Sequence, residues 1–195
     1  RELKAQVEFR NQGMHIQATS AMLGGVRMNQ ATADIADFKQ NELLIKASAG
    51  GDLDAGLGFV KRSPVGPKLG ETFARLSGRG PMIADVRLEL PLKQLDERKI
   101  DITARLANAT VTMQKVNAPV RELTGDLTIK NSLVASGSLR GSWLGGPLNV
   151  TIEQQNALAS ELNAEGHATA EDLQRLFALP AAVKLSGDTD WHMSM

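Results

Sequence analysis

The sequence predicts a mainly β protein: a long antiparallel sheet curled into a U-shaped trough with a hydrophobic groove, accompanied by a few short helices. Three observations carry that prediction. Apolar and polar residues alternate with period two over most of the chain, the signature of a strand with one greasy and one wet face. The alternating runs are broken at Gly, Asn, Pro and Gly-Gly at intervals of roughly 10 to 14 residues, the spacing of a meander of hairpins. The strand text also repeats without any sign of closing on itself.

Taken in order, Val7 and Phe9 open the first run, and Met14, Ile16 and Ala18 continue on the return strand. Asp52 to Val60 then reads as a short helix weakened by glycine, and Leu69, Phe73 and Leu76, at i, i+4 and i+7 after the breaker Pro67, predict a second helix. Val86, Leu88 and Leu90 alternate with Asp85, Arg87 and Glu89, and Ile100, Ile102, Ala104 and Leu106 with Asp101, Thr103 and Arg105. Val111 and Met113 resume the pattern beyond Asn108. Leu127 and Ile129, then Leu148, Val150 and Ile152, then Leu162 and Ala164 mark three further strands. Thr169 with Asp172 three residues on is a capping pair for a short amphipathic helix carrying Leu173, Leu176 and Phe177 and ending at Pro180. The count is about a dozen strands.

The opening text, Arg1 to Asn11 (RELKAQVEFRN), returns as Arg121 to Asn131 (RELTGDLTIKN). Each copy is followed by an apolar-Gly-Gly turn, Leu23-Gly24-Gly25 and Leu144-Gly145-Gly146, and later by Leu76-Ser77-Gly78 and Leu185-Ser186-Gly187. Three landmarks in one order predict repeat units over 1–120 and 121–195, the second incomplete. A chain that opens on Arg1 and stops at GDTDWHMSM, where a new strand pattern begins, reads as a single fragment of a larger elongated repeat protein.

Composition removes several classes of function. The 22 basic and 22 acidic residues cancel, and no basic run or basic-aromatic stripe stands out, which argues against a nucleic-acid partner. No apolar stretch approaches the roughly 20 residues of a membrane span. With no cysteine, thiol catalysis, thiolate metal sites and disulfides are excluded. There is no nucleophile elbow, no phosphate loop and no dinucleotide fingerprint, since Gly51, Gly56 and Gly58 are wrongly spaced for one. His15, His167 and His192 lack sequence neighbours that would make a metal face and read as solvated strand histidines. The expectation is a protein that is not an enzyme and needs no cofactor or metal.

What remains is the apolar face. Aromatics are 4% of the chain with no Tyr, so that face is aliphatic, thin for a sandwich core and poor in the side chains that sugar and base sites use. A trough would present it as a groove lined by Val7, Phe9, Ile16, Val86, Leu88, Ile100, Ile102, Leu106, Val111, Leu127, Ile129, Val150 and Ile152, with Leu69, Phe73, Leu173 and Phe177 on helices packed over it. Linear acyl chains suit such a groove, because each methylene leaving water gains about 0.8 kcal/mol. The alternative is a closed β-sandwich that serves as a binding or assembly module through its edge strands and has no groove.

The order of turn motifs resembles one family. Gly24-Gly25-Val26, Ser63-Pro64, Gly78, Leu90-Pro91-Leu92 and Gly145-Gly146-Pro147-Leu148 are similar, in order and spacing over nearly the whole chain, to the middle-to-late part of YhdP-like proteins of the AsmA-like superfamily, which also includes TamB. The resemblance implies bridge-like lipid transfer. The parent would be anchored in the inner membrane of a Gram-negative bacterium by a helix outside this fragment and would cross the periplasm as a long grooved sheet. It would pass phospholipid towards the outer membrane and so support lipid homeostasis and the permeability barrier. No catalytic residue is carried over. The fragment's cut edges are expected to favour self-association.

Overall fold

The computed structural model describes residues 4–63, 70–114, 116, 118–131, 133–180 and 186–195. Strands β1 (Lys4–Arg10), β2 (Gly13–Leu23), β3 (Val26–Ile35) and β4 (Glu42–Asp52) form successive antiparallel hairpins. Helix α1 (Leu53–Arg62) follows directly, then α2 (Gly70–Ala74) and the short β5 (Leu76–Arg79). β6 (Pro81–Pro91) and β7 (Lys99–Met113) are joined through a 3-10 turn at Leu95–Glu97. β8 (Val120–Lys130), β9 (Leu133–Trp143), β10 (Gly145–Gln154) and β11 (Ser160–Thr169) continue the meander, and α3 (Ala170–Leu176) leads to β12 (Asp188–Ser194). All twelve strands belong to one sheet in the order β1-β2-β3-β4-β6-β7-β8-β9-β10-β11-β12, with β5 extending the β6 line along the far end of β7. Every pairing is antiparallel, and β1 and β12 remain as open edges among the described residues.

Local chemistry accounts for the breaks. Asn11, Asn41 and Asn131 take positive φ in their turns, as asparagine tolerates better than other non-glycine residues. At Asn108 the same conformation inserts a bulge into β7, so that Ala109 and Val111 stay on the face of Leu106. Asp52 caps α1 by accepting from the Asp54 amide at 2.9 Å, and its second oxygen accepts from the Gly80 amide at 2.9 Å. The two amides, Gly80 first, hold the Asp52 carboxyl below its usual range. The predicted second helix is shorter than its apolar spacing suggests: Leu76 leaves the helix to pair with Met113, because a sheet edge offered its backbone a ladder.

A single sheet this wide must curl to hide its apolar side. β9 and β11 bring Cα atoms within 8 Å of each other across the intervening β10, less than two strand spacings of ~4.8 Å. Leu139, Leu148, Ala164 and Ala168 are buried although no second sheet lies over them among the described residues, and Leu106 is buried in a cluster that includes Leu53 of α1. The closed sandwich is not what the chain builds.

The two stretches of similar text stand at corresponding places. β1 is followed by Asn11 and β8 by Asn131, both with positive φ. Three strands later, β4 and β11 each run straight into a helix. The first helical amide donates to a glycine carbonyl of the return segment in both cases, Leu53 to Gly80 at 2.8 Å and Ala170 to Gly187 at 2.9 Å. Each helix start also lies against the Gly-Gly turn, where a Cβ on Gly25 would be 3.1 Å from Ala55 and one on Gly145 would be 3.1 Å from Thr169. Leu185 lies outside the described residues.

Candidate functional site

In an antiparallel sheet, directly opposed residues share a face, so register fixes which side chains stand together. One row crosses the sheet as Val7, Ile16, Ala33, Ile45, Leu88 and Ile100. Beside it run Ala5, Ala18, Ala31, Ala47, Val86, Ile102 and Ile129. A third row holds Ala49, Ala84, Ala104, Leu127, Gly137, Ile152 and Leu162. A fourth holds Met82, Leu106, Gly125, Leu139, Val150 and Ala164. Phe9 stands opposite Met14, and Val111 opposite Val120. The register therefore brings all the groove candidates named from the sequence onto one face.

Their exposure differs along that face. Leu106 is 3% exposed within a cluster of Leu53, Met82, Ala84, Ala109, Leu123 and Leu139. Val7 is 51% and Phe9 72% exposed, because β1 is an edge and nothing described lies beyond it. Between these extremes Ile16, Ile45, Val86, Leu88, Ile102 and Ile152 are half-buried.

Helix α1 supplies the cover. Leu53 lies over Gly78, and Gly56 meets the side chain of Met82 so closely that a Cβ there would come 2.4 Å from its sulfur. Of the helical residues expected to cover the groove, Leu69 lies outside the described residues, and Phe73 and Leu173 are half-buried. Phe177 is 66% exposed, since α3 ends at Leu176 and leaves this ring past the last turn. Covering falls instead to Leu53, Gly56 and Leu57.

The opposite face is charged. Thr32, Lys46, Arg87, Asp101 and Lys130 make one row of it. Arg105 pairs with Asp126 at 3.0 Å, and Glu89 takes Arg87 at 2.8 Å and Lys99 at 3.2 Å, which hold its carboxyl below the usual range, Arg87 most. Two histidines expected to be merely solvated have carboxylate partners from neighbouring strands, which sequence spacing cannot show: His15 pairs with Asp34, and His167 contacts Asp190 at 2.9 Å and Asp188 at 3.0 Å. These carboxylates, Asp190 first, raise the pKa of His167. Among the described residues no group of three or more His, Asp or Glu could hold a metal ion.

Sequence reasoning missed three parts of this face. The alanine row is one, and its signal was present in the alternation of Ala18, Ala31 and Ala47 with polar neighbours. The seat of α1 on Met82 is another. The third is a contact between Trp143 and Trp191, whose rings meet edge to face with centroids 5.1 Å apart. Only the parity of Trp143 with Leu139 hinted at its side of the sheet.

Comparison with known proteins follows the same line. The YhdP protein family matches residues 1–195. The chain is 30% identical over 195 residues to the intermembrane phospholipid transporter YhdP of Escherichia coli strain K12, an alignment that takes in 97% of this chain and 15% of that protein's length. No solved structure matches.

Proposed function

Because the chain belongs to the YhdP family, we propose that its apolar face is one segment of a hydrophobic conduit that carries phospholipids between inner and outer membranes. The observation that supports this most is the continuity of the face: apolar rows run unbroken from strand to strand, half-exposed over much of their length, with charge confined to the other side. Such a surface costs free energy in water, and acyl chains laid across the strands would relieve it at about 0.8 kcal/mol per methylene. Eleven strands in line give a path of about 50 Å at the usual strand spacing.

In this reading the protein is not an enzyme. The lining needs length and grease, which the apolar rows among the described residues supply. Among the described residues no helix is long and apolar enough to cross a membrane. By analogy with the intermembrane relative, the segment would lie in the periplasm, with attachment to the inner membrane supplied elsewhere in the parent. Repeat units over 1–120 and 121–195 would lengthen the conduit by adding similar strands and turns. In isolation, the open ladders of β1 and β12 would pair with other copies.

The test places a photo-crosslinking amino acid at Ile102 or Thr103 of the full-length parent. These neighbours point to opposite faces, Ile102 towards Val86 and Ile129 and Thr103 towards Asp85 and Thr128. Phospholipid attached at Ile102 alone is the expected result. Equal labelling at both positions, or labelling at neither, would sink the proposal.

A further inference from the structure

The two tryptophans of this chain lie 48 positions apart on strands separated by two others, β10 and β11, yet their rings touch. Both belong to the apolar face. Trp143 follows Leu139 and Gly141 in parity, and Trp191 stands opposite Gly166, which stands opposite Leu148. The pair therefore arches over the inside of the curl. Its floor is bare: a Cβ on Gly166 would come 2.6 Å from the Trp191 ring, so only glycine lets the indole lie flat there.

Their polar atoms are treated differently. Trp143 Nε1 donates to the Ala118 carbonyl at 3.0 Å, which fixes its ring. Trp191 Nε1 is buried and has no hydrogen-bond partner, the one such side-chain nitrogen or oxygen among the described residues. An indole N–H is donor only, and a buried donor left unpaired calls for an acceptor. The site also lies where the apolar face meets polar strand ends, next to the turn at Gly145 and the Thr169–Asp172 cap. Indoles favour such a boundary, with the ring in the apolar phase and the N–H turned to an oxygen.

We propose that the Trp143–Trp191 pair is a subsite for the glycerol-ester region of a phospholipid, with Trp191 Nε1 donating to an ester carbonyl oxygen. This rests on the conduit reading and deepens it. The acyl chains would run from the indoles along the rows through Leu139, Val150 and Ile152, and the headgroup would lie outside, beyond the strand ends. The competing use of the N–H is a contact with the face of the Trp143 ring, which would leave nothing for a lipid to satisfy.

The absence of Tyr and the presence of only these two Trp make intrinsic fluorescence a direct reporter. The chain is mixed with phosphatidylcholine vesicles whose acyl chains carry bromine, a contact quencher, either beside the ester or near the terminal methyl. The expected result is severalfold stronger quenching by the ester-proximal bromines. Trp191→Phe, which keeps the ring and removes the donor, should weaken retention of labelled phospholipid about fivefold, the value of one net hydrogen bond (~1 kcal/mol). It should leave retention of a plain alkane unchanged. Equal or stronger quenching by terminal bromines overturns the subsite, as does unchanged phospholipid retention in Trp191→Phe. If that variant fails to fold, the bromine depth profile of the unaltered chain still decides. Lipid crosslinked at Ile102 without quenching here removes the subsite and leaves the conduit, whereas loss of both removes the conduit as well.

Discussion

Ala31 and Thr32 are neighbours on β3 that face opposite ways: Ala31 stands between Ala18 and Ala47 on the apolar face, and Thr32 stands opposite Lys46 on the charged one. Replacing each by Asp gives a matched pair. Neither loses more than about 1 kcal/mol of strand preference, and Thr32→Asp, which gives up a β-branched residue, loses the more of the two. Only Ala31→Asp sets a carboxylate in the proposed path of a lipid chain. One strand spacing of ~4.8 Å passes about four methylenes, worth roughly 3 kcal/mol of transfer from water. Losing that contact, without counting the cost of drying the carboxylate, predicts about a hundredfold weaker retention of labelled phospholipid from vesicles. Thr32→Asp, facing Lys46, should retain lipid as the unaltered chain does. Circular dichroism and urea unfolding establish that both variants keep the sheet. Equal retention by two folded variants would refute the assignment of lipid to this face.

Leu106→Ala should cost about 2–5 kcal/mol in urea unfolding, because Leu106 is almost fully enclosed, whereas Val7→Ala, at a half-exposed edge position, should cost under about 1 kcal/mol. Asp52→Ala removes the acceptor for both the Asp54 and Gly80 amides and should cost about 1–2 kcal/mol. Since the Asp52 carboxyl is held below its unfolded value, its contribution is present above that value, and the deficit of Asp52→Ala should shrink as the pH falls through the lowered one. His167 is the opposite case: its pKa is raised by Asp190 and Asp188, so the stability it lends β12 is full below the unfolded value of about 6.5 and fades as pH rises through the raised one. Hydrogen exchange in β12 should accordingly differ between the unaltered chain and His167→Gln near pH 5.5 and converge at alkaline pH; a difference that does not change with pH would contradict this.

The alanines of the apolar face have a consequence for shape. Ala5, Ala18, Ala31 and Ala47 lie between the larger side chains of the Val7–Ile100 row and those near Met82 and Leu106. A sheet can curl only as far as its inner side chains allow. Small residues let β1 to β4 form a floor without filling the space above it, while in the second half Gly137 and Gly166 do the same under larger neighbours, Ile152 and Trp191.

By itself the sequence determined everything that depends on near neighbours. The alternation through Ile100, Ile102 and Leu106 marked a strand and its wet side, and Asp52 and Thr169 marked helix starts, since caps and pleats act over a few residues. Order and spacing of the turns were enough to point to the family. Only the tertiary structure decided what depends on curvature and on partners far along the chain. Periodicity says that a face is apolar, but not whether a second sheet covers it. The curl that buries Leu139 and Leu148, the seating of α1 on Met82, the carboxylates around His167 and the meeting of Trp143 with Trp191 all join residues brought together by the twist of the sheet. Twist accumulates over the sum of the strands, and no local stretch of sequence encodes that sum.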